Sequence, residues 1–220
     1  CATACVESNL FVVTVRSDWV PGQDVVRIYT QIDGRELDPT PVDFGADLAG
    51  GLRVAELMDL EPGMHDVEVR LMGPDPVGLL AIRHARVNAG PGGSVTILVT
   101  RDCAEGVSCH PGDAASECVG GRCVSPECTP EAPDACPETG CTSDDECSSD
   151  VSCAERVCVT GACVPAPVEG VCAADEQCDP ARGCRPLGVT PLTRVGRGAA
   201  GLTHTCATTR VGRIYCWGGN

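Results

Sequence analysis

The chain contains no lysine: all of its sixteen basic residues are arginine, against thirty-one acids. This usage reads as the codon bias of a GC-rich genome rather than as physics. Aromatic residues are almost as scarce. Phe11, Trp19, Tyr29, Phe44, Tyr215 and Trp217 are the whole set in 220 residues, which argues against a large single core. No apolar run approaches the ~20 residues that a membrane-spanning helix needs, and no charged, then apolar, then small-residue succession marks a secretory leader. Cys-x-x-Cys spacing between neighbouring cysteines is also missing. Its absence argues against zinc knuckles and thioredoxin-type redox sites, both of which rely on that spacing.

Cysteine itself is abundant. Fourteen of the eighteen lie between Cys103 and Cys184, separated by five, eight, four, four, seven, four, five, five, four, four, eight, five and five residues. With metal and redox motifs set aside, Cys103, Cys109, Cys118, Cys123, Cys128, Cys136, Cys141, Cys147, Cys153, Cys158, Cys163, Cys172, Cys178 and Cys184 read as a disulfide framework. Its connectivity is open from sequence, and it persists only in oxidising space. Glycine and proline supply 43 residues, favouring turns over long helices. Charge is uneven: residues 1–102 carry a net −7, residues 103–190 a net −12, and residues 191–220 a net +4 with no acid. An acidic surface of this kind repels nucleic acid and anionic lipid.

The first hundred residues read as β-structure. Phe11, Val13 and Val15 fall at alternate positions on one face, as do Val26, Ile28, Thr30 and Ile32, then Val67, Val69 and Leu71, then Val95, Ile97 and Val99. Period-two patterning predicts half-buried antiparallel strands. Gly51–Leu57 is a weaker strand, and an apparent change of face between Ile82 and Ala85 predicts a bulge. Asp33-Gly34 and Glu61-Pro62-Gly63 supply turns. Six or seven short strands in ~100 residues predict a two-sheet sandwich. The run Pro62-Gly63-Met64-His65-Asp66-Val67-Glu68-Val69 is similar to the turn-and-strand of bacterial immunoglobulin-like and transthyretin-like modules. His65 and His84 read as ordinary surface histidines. Asp18, Asp24, Asp38, Asp43 and Asp47 fall in or near loops; they are weighed as calcium ligands, but no Asp-x-Asp-x-Asp-Gly spacing occurs, and solvated charge is the preferred reading.

The middle repeats. Cys118-Val-Gly-Gly-Arg-Cys123-Val matches Cys158-Val-Thr-Gly-Ala-Cys163-Val, and Cys141-Thr-Ser-Asp-Asp-Glu-Cys147 matches Cys172-Ala-Ala-Asp-Glu-Gln-Cys178. The implied unit is Cys-x5-Cys, a gap, then Cys-x4-Cys with a glycine turn. With few large apolar side chains, cross-links must replace a core. The clusters Asp144-Asp145-Glu146 and Asp175-Glu176 read as solvated charge rather than as a calcium site. These units resemble the cysteine-rich linkers of bacterial surface lipoproteins. Such proteins are cut just before a cysteine that becomes acylated. Cys1 fits that position, and so does Cys5 after Ala2-Thr3-Ala4. Cysteine arithmetic leans to Cys5, because the sixteen cysteines from Cys103 onward can pair among themselves. A Cys1–Cys5 disulfide or two free thiols is the alternative.

In the tail, Arg210-Val211-Gly212 suits a three-residue hairpin loop. Centred on Val211, that loop sets Cys206 opposite Cys216 and predicts a disulfide between them. Gly201, His204-Thr205-Cys206-Ala207, Gly212, Tyr215-Cys216-Trp217-Gly218 and Asn220 resemble one unit of a regulator-of-chromosome-condensation type repeat. That resemblance implies a β-propeller of about seven blades, hence a chain expected to continue beyond Asn220, and binding of proteins through loops on one face. It also makes His204 a structural position.

The expected fold is therefore mainly β: an anchor or leader remnant at 1–8, a β-sandwich at 9–102, disulfide-stapled repeats at 103–184, a linker at 185–194, and a partial propeller repeat at 195–220. The expected function is a non-enzymatic secreted or surface-anchored lipoprotein, at the bacterial outer membrane or cell surface, that presents a binding module to a protein partner. No cofactor, metal or nucleic acid is expected. The alternative is a secreted cysteine-rich inhibitor or ligand acting through 103–184. A secreted hydrolase is a third class, but neither Gly-x-Ser-x-Gly nor His-Glu-x-x-His occurs.

Overall fold

A computed structural model describes residues 10–75, 78–90, 92–104, 109–110, 112–138, 140–168 and 170–187 in full, together with the backbone of three strands between residues 195 and 218. The candidate lipid sites Cys1 and Cys5 lie outside the described residues, as do the side chains of His204, Cys206 and Cys216. The fold is mainly β. The first part contains β1 (Leu10–Ser17), β2 (Arg27–Ile32), β3 (Arg35–Glu36), β4 (Thr40–Pro41), β5 (Leu52–Met58), β6 (Gly63–Met72), β7 (Leu79–Ala89) and β8 (Ser94–Val99). β5, β1 and β8 form one sheet in that order. A second sheet runs β3-β2-β6-β7, with β4 also paired to β2.

The alternating residues of both sheets meet in one core. β1 contributes Phe11, Val13 and Val15, and β8 contributes Val95, Ile97 and Val99. Facing them are Ile28 and Ile32 of β2, Val67, Val69 and Leu71 of β6, and Ala85, Val87 and Ala89 of β7. Period-two patterning thus reports the buried face correctly. It does not report strand direction: β1 and β8 are parallel, in register from Val12↔Ser94 to Ser17↔Val99, rather than antiparallel as expected. A parallel pair needs a long crossover, and the whole of β2–β7 provides it.

The expected bulge between Ile82 and Ala85 is also corrected. The β6–β7 ladder runs unbroken from Leu71↔Ala81 to Gly63↔Ala89, and its register shifts beside Leu80, where Met72 meets Leu79. The inward position that looked like a change of face is held by Arg83, which is buried, while Ile82 points out and is exposed. A charged residue in a core-facing slot mimics a phase change in the hydrophobic pattern.

The cysteine-rich segment adds β9 (Glu117–Val119), β10 (Arg122–Val124), β11 (Ala154–Val159), β12 (Ala162–Pro167), β13 (Glu176–Asp179) and β14 (Gly183–Pro186), paired as three hairpins. The shared Cys-Val-x-Gly-x-Cys-Val motif builds the first two. Gly120-Gly121 and Thr160-Gly161 both take positive φ at two successive residues, a type I′ turn that matches strand twist. In each hairpin two cysteines face one another: Cys118↔Cys123, Cys158↔Cys163 and Cys178↔Cys184.

None of these facing cysteines bridges to its opposite. Each reaches back to an earlier cysteine instead, giving Cys103–Cys118 with Cys109–Cys123, Cys141–Cys158 with Cys147–Cys163, and Cys153–Cys178 with Cys172–Cys184. Every pair of bridges is interlaced. The first two hairpins are each tied at two points to the loop before them, whereas the third is tied to its preceding loop through Cys172 and, across the second hairpin, to Cys153 just ahead of β11. Cys128–Cys136 is a local staple. Cys172 and Cys178, which share the Cys141–Cys147 spacing, are used differently: Cys178 sits on β13 and Cys147 in a loop.

This segment packs along the β domain. Leu98, on the outer face of β8, joins Val119, Val124, Cys128, Ala162 and Val164 in a second apolar cluster. One edge of each sheet, β7 and β8, is covered here: Glu117 accepts from His84 N–H, the Pro126 carbonyl accepts from Arg86 N–H, and Glu131 accepts from Thr96 N–H. Open strand edges invite unwanted pairing, and covering them removes that liability. In the tail, β15 (Val195–Ala200), β16 (His204–Thr209) and β17 (Ile214–Gly218) form an antiparallel three-stranded sheet. Its register sets Cys206 opposite Cys216, as the hairpin reading expected.

Candidate functional site

The entry and exit of the cysteine-rich segment meet at one corner of the β domain. Arg101, in the 3-10 turn that follows β8, lays its guanidinium 4.7 Å from the centre of the Trp19 ring. It donates from Nε to the Asp18 carbonyl at 3.2 Å and from Nη2 to Asp24 at 2.6 Å. The same Nη2 is 3.6 Å from Asp179, at the end of β13 and fully buried. Asp179 also lies 3.3 Å from Arg185 and 3.7 Å from Arg182, and it accepts from Ala181 N–H. One buried carboxylate thus gathers three guanidiniums, which supply the opposite charge that a buried ion requires. Gln177 donates to the Pro21 carbonyl and Gln23 to the Pro186 carbonyl, closing the corner from both sides.

Asp18 sits beside this knot. Its carboxylate accepts from Arg101 N–H at 2.8 Å. Burial nevertheless dominates and pushes its pKa up to about 6, against the lowering effect of that hydrogen bond and of the Arg101 charge. A cleft of about 200 Å³ opens here, lined by Asp18, Arg101, Asp102, Arg156, Arg182 and the prolines at 165 and 180. No sequence signal marks these residues. Arg101 and Asp179 are 78 positions apart, and their pairing exists only because the disulfides turn the segment back on itself.

A second cluster surrounds His84, on the outer face of β7. Its Nε2 lies 3.0 Å from Glu68 and its Nδ1 3.3 Å from Glu117. Glu117 is also 3.1 Å from the buried Arg83, whose guanidinium donates to the His84 and Cys128 carbonyls. Burial holds the Arg83 pKa down, partly countered by Glu117. A groove of about 520 Å³ begins here and runs past the exposed Leu79 and Ile82 to the Cys103–Cys118 bridge.

His65, half-buried on β6, also has a partner at each ring nitrogen. Nδ1 lies 2.6 Å from Asp33 and Nε2 2.7 Å from the Glu61 carbonyl. With an acceptor at each ring nitrogen, the imidazolium is favoured. The Asp33 hydrogen bond raises the His65 pKa, and the same bond lowers that of Asp33. The Asp33-Gly34 type I′ turn places this carboxylate, which also accepts from Asp66 N–H.

The candidate calcium aspartates do not converge. Asp18 and Asp24 serve Arg101, and Asp47 accepts from Gly50 N–H. The acidic clusters close turns: Glu146 accepts from the Thr142 N–H and hydroxyl, which lowers its pKa, and Asp144 accepts from Cys158 N–H. Two sulfur triplets, Cys141 with Cys147 and Cys163, and Cys153 with Cys172 and Cys184, each fall within 4.8 Å. Every one of these sulfurs is in a disulfide, and a disulfide sulfur is not the thiolate that binds metal. Seven disulfides among the described residues place the folded chain in an oxidising, extracytoplasmic setting. Among the described residues, no helix is long and apolar enough to cross a membrane. Comparison with protein-family models, curated proteins and solved structures finds no match.

Proposed function

We propose that this chain is a non-enzymatic extracytoplasmic protein, secreted or held at a bacterial surface by a lipid on Cys5 or Cys1. In this reading a sandwich of the immunoglobulin-like or transthyretin-like kind and its docked disulfide-rich segment form a base. The base presents the C-terminal repeat module, a first propeller unit, to a protein partner. The observation that carries the reading is the interlaced disulfide pattern, which ties every hairpin at two points to earlier chain and links the third hairpin back to the start of the second, making a cross-linked mount rather than a mobile tether. The ion knot around Asp179 supports it by returning the chain to the β domain just before the tail. The alternative, residues 103–184 acting alone as an inhibitor or ligand, is less well supported, because Leu98 and Arg83 anchor that segment to the β domain.

The test is expression with the native leader in a bacterial host, followed by cell fractionation, metabolic labelling with a fatty acid, and trapping of free thiols. The expected result is label at Cys5 or Cys1, recovery with envelope or medium, and no free thiol among residues 103–184. Unlabelled protein in the medium would reject the anchor. Reduced, cytoplasmic protein would reject the reading as a whole.

A further inference from the structure

The cleft beside Trp19 is lined by charges of both signs. Arg156, on β11 opposite Pro165, and Arg182, in the turn after β13, come from the cysteine-rich segment; Asp18, which Arg101 contacts, and Asp102 come from the β-domain side. Arg156 is half-buried, yet among the described residues no hydrogen bond or ion pair reaches its guanidinium, and none reaches the Asp102 carboxylate. In a chain with thirty-one acids and sixteen bases, a half-buried arginine whose guanidinium has no counter-ion is unexpected. Arg182 is tied only weakly, 3.7 Å from an Asp179 that Arg101 and Arg185 already serve.

From this geometry we infer that the cleft is a binding site for a free amino acid, whose carboxylate is held by Arg156 and Arg182 and whose ammonium faces Asp102 and Asp18. Guanidinium forks match carboxylates in shape as well as in charge. The Asp102 carboxylate, which has no partner among the described residues, disfavours a simple anion, and an unpartnered guanidinium and carboxylate in one lining favour a ligand carrying both charges. Size agrees: about 200 Å³ lies below the ~300–1,000 Å³ that drug-sized ligands occupy. Pro165 and Pro180 stiffen the rim, so little ordering cost attends binding. The raised pKa of Asp18, whose carboxylate Arg101 and Asp102 face, adds a condition: below about pH 6 the lining loses that negative charge, and affinity falls. The inference stands apart from the anchored-display reading, since it involves neither the tail nor the N-terminus.

Trp19, stacked against Arg101, provides an optical reporter. The oxidised protein is titrated at pH 7.5 with a panel of the common free amino acids, and in parallel with acetate, methylammonium and inorganic phosphate, by calorimetry and tryptophan fluorescence. At least one amino acid is expected to saturate the site, with acetate and methylammonium at least about tenfold weaker, as for the loss of one charge-assisted hydrogen bond. Arg156→Gln and Asp102→Asn remove groups that hold nothing else in the fold, so both variants should keep the wild-type unfolding midpoint and lose affinity by about tenfold or more. No saturation by any amino acid, equal binding of acetate or phosphate, or full binding by the folded Arg156→Gln variant would each overturn the inference.

Discussion

Replacing Glu117 by glutamine isolates the charge that joins the cysteine-rich segment to β7. The carboxylate lies 3.1 Å from Arg83, whose side chain is 3% exposed. At an effective dielectric of ~20, two unit charges at that distance attract by about 5 kcal/mol. Glutamine keeps an acceptor for His84 N–H and removes only the charge. Arg83 then retains the carbonyls of His84 and Cys128, which return part of the loss. The expected net cost is about 3 kcal/mol, within the range for leaving one partner of a buried pair uncompensated. Arg83→Met should cost less. Its apolar stem fits the core-facing slot, and Glu117 remains partly wet and bonded to His84. The double variant should be more stable than Glu117→Gln alone, because the unpaired buried charge is gone. The assay is equilibrium urea unfolding of the oxidised protein by circular dichroism, where 3 kcal/mol moves the midpoint by roughly 1–3 M. Equal costs for the two single variants, or simple additivity in the double variant, would refute the argument that Arg83 is the buried charge requiring compensation.

Three further outcomes are expected. Peptide mapping of the unreduced protein should join Cys118 to Cys103 and Cys123 to Cys109; a Cys118–Cys123 peptide would contradict the interlaced pattern. The same map should join Cys206 to Cys216, which the β16–β17 register sets opposite one another. The His65–Asp33 contact contributes stability across a window. The His65 part is complete below the ordinary 6.5 and lost as pH rises through its raised folded value, whereas the Asp33 part is complete above 3.8 and lost as pH falls through its lowered one. Titration of the His65 ring by NMR should therefore show a midpoint above 6.5 that drops in Asp33→Asn, and an unmoved midpoint would remove the contact. Asp18 acts oppositely. Its folded pKa is raised, so the folded state binds the extra proton between 3.8 and about 6, and stability falls as pH rises through that interval. Asp18→Asn, which keeps an acceptor for Arg101 N–H, should match the wild type near pH 4 and exceed it at pH 7; equal unfolding midpoints at pH 7 would show that Asp18 bears no such cost.

Much of the local structure was legible in the chain. The β-branched alternation of Val13, Val69 and Ile97 marked the inward face, because side chains alternate across a strand whatever lies beyond it. Asp33-Gly34 and the Cys-Val-x-Gly-x-Cys-Val motif marked their turns, because few residues accept positive φ. The ion-pair partners of the surface histidines were not legible: His65 and His84 carry no neighbouring signal, and Asp33, Glu68 and Glu117 arrive from other segments. Arg83 misled, since only its docking against Cys128 and Glu117 explains a charge in a core-facing slot.

The sequence by itself determined the strand pattern, the turns, and an oxidising setting, because backbone stereochemistry, residue alternation and cysteine content are local or compositional properties. Tertiary structure alone decided the parallel β1–β8 pair, the interlaced bridges, and the convergence of Arg101, Arg156, Arg182 and Asp179 around one cleft. Those depend on which distant segments meet in space, and the physical reason is that a disulfide or an ion pair requires only a few ångströms of separation and leaves no mark on how far apart its members stand in the chain.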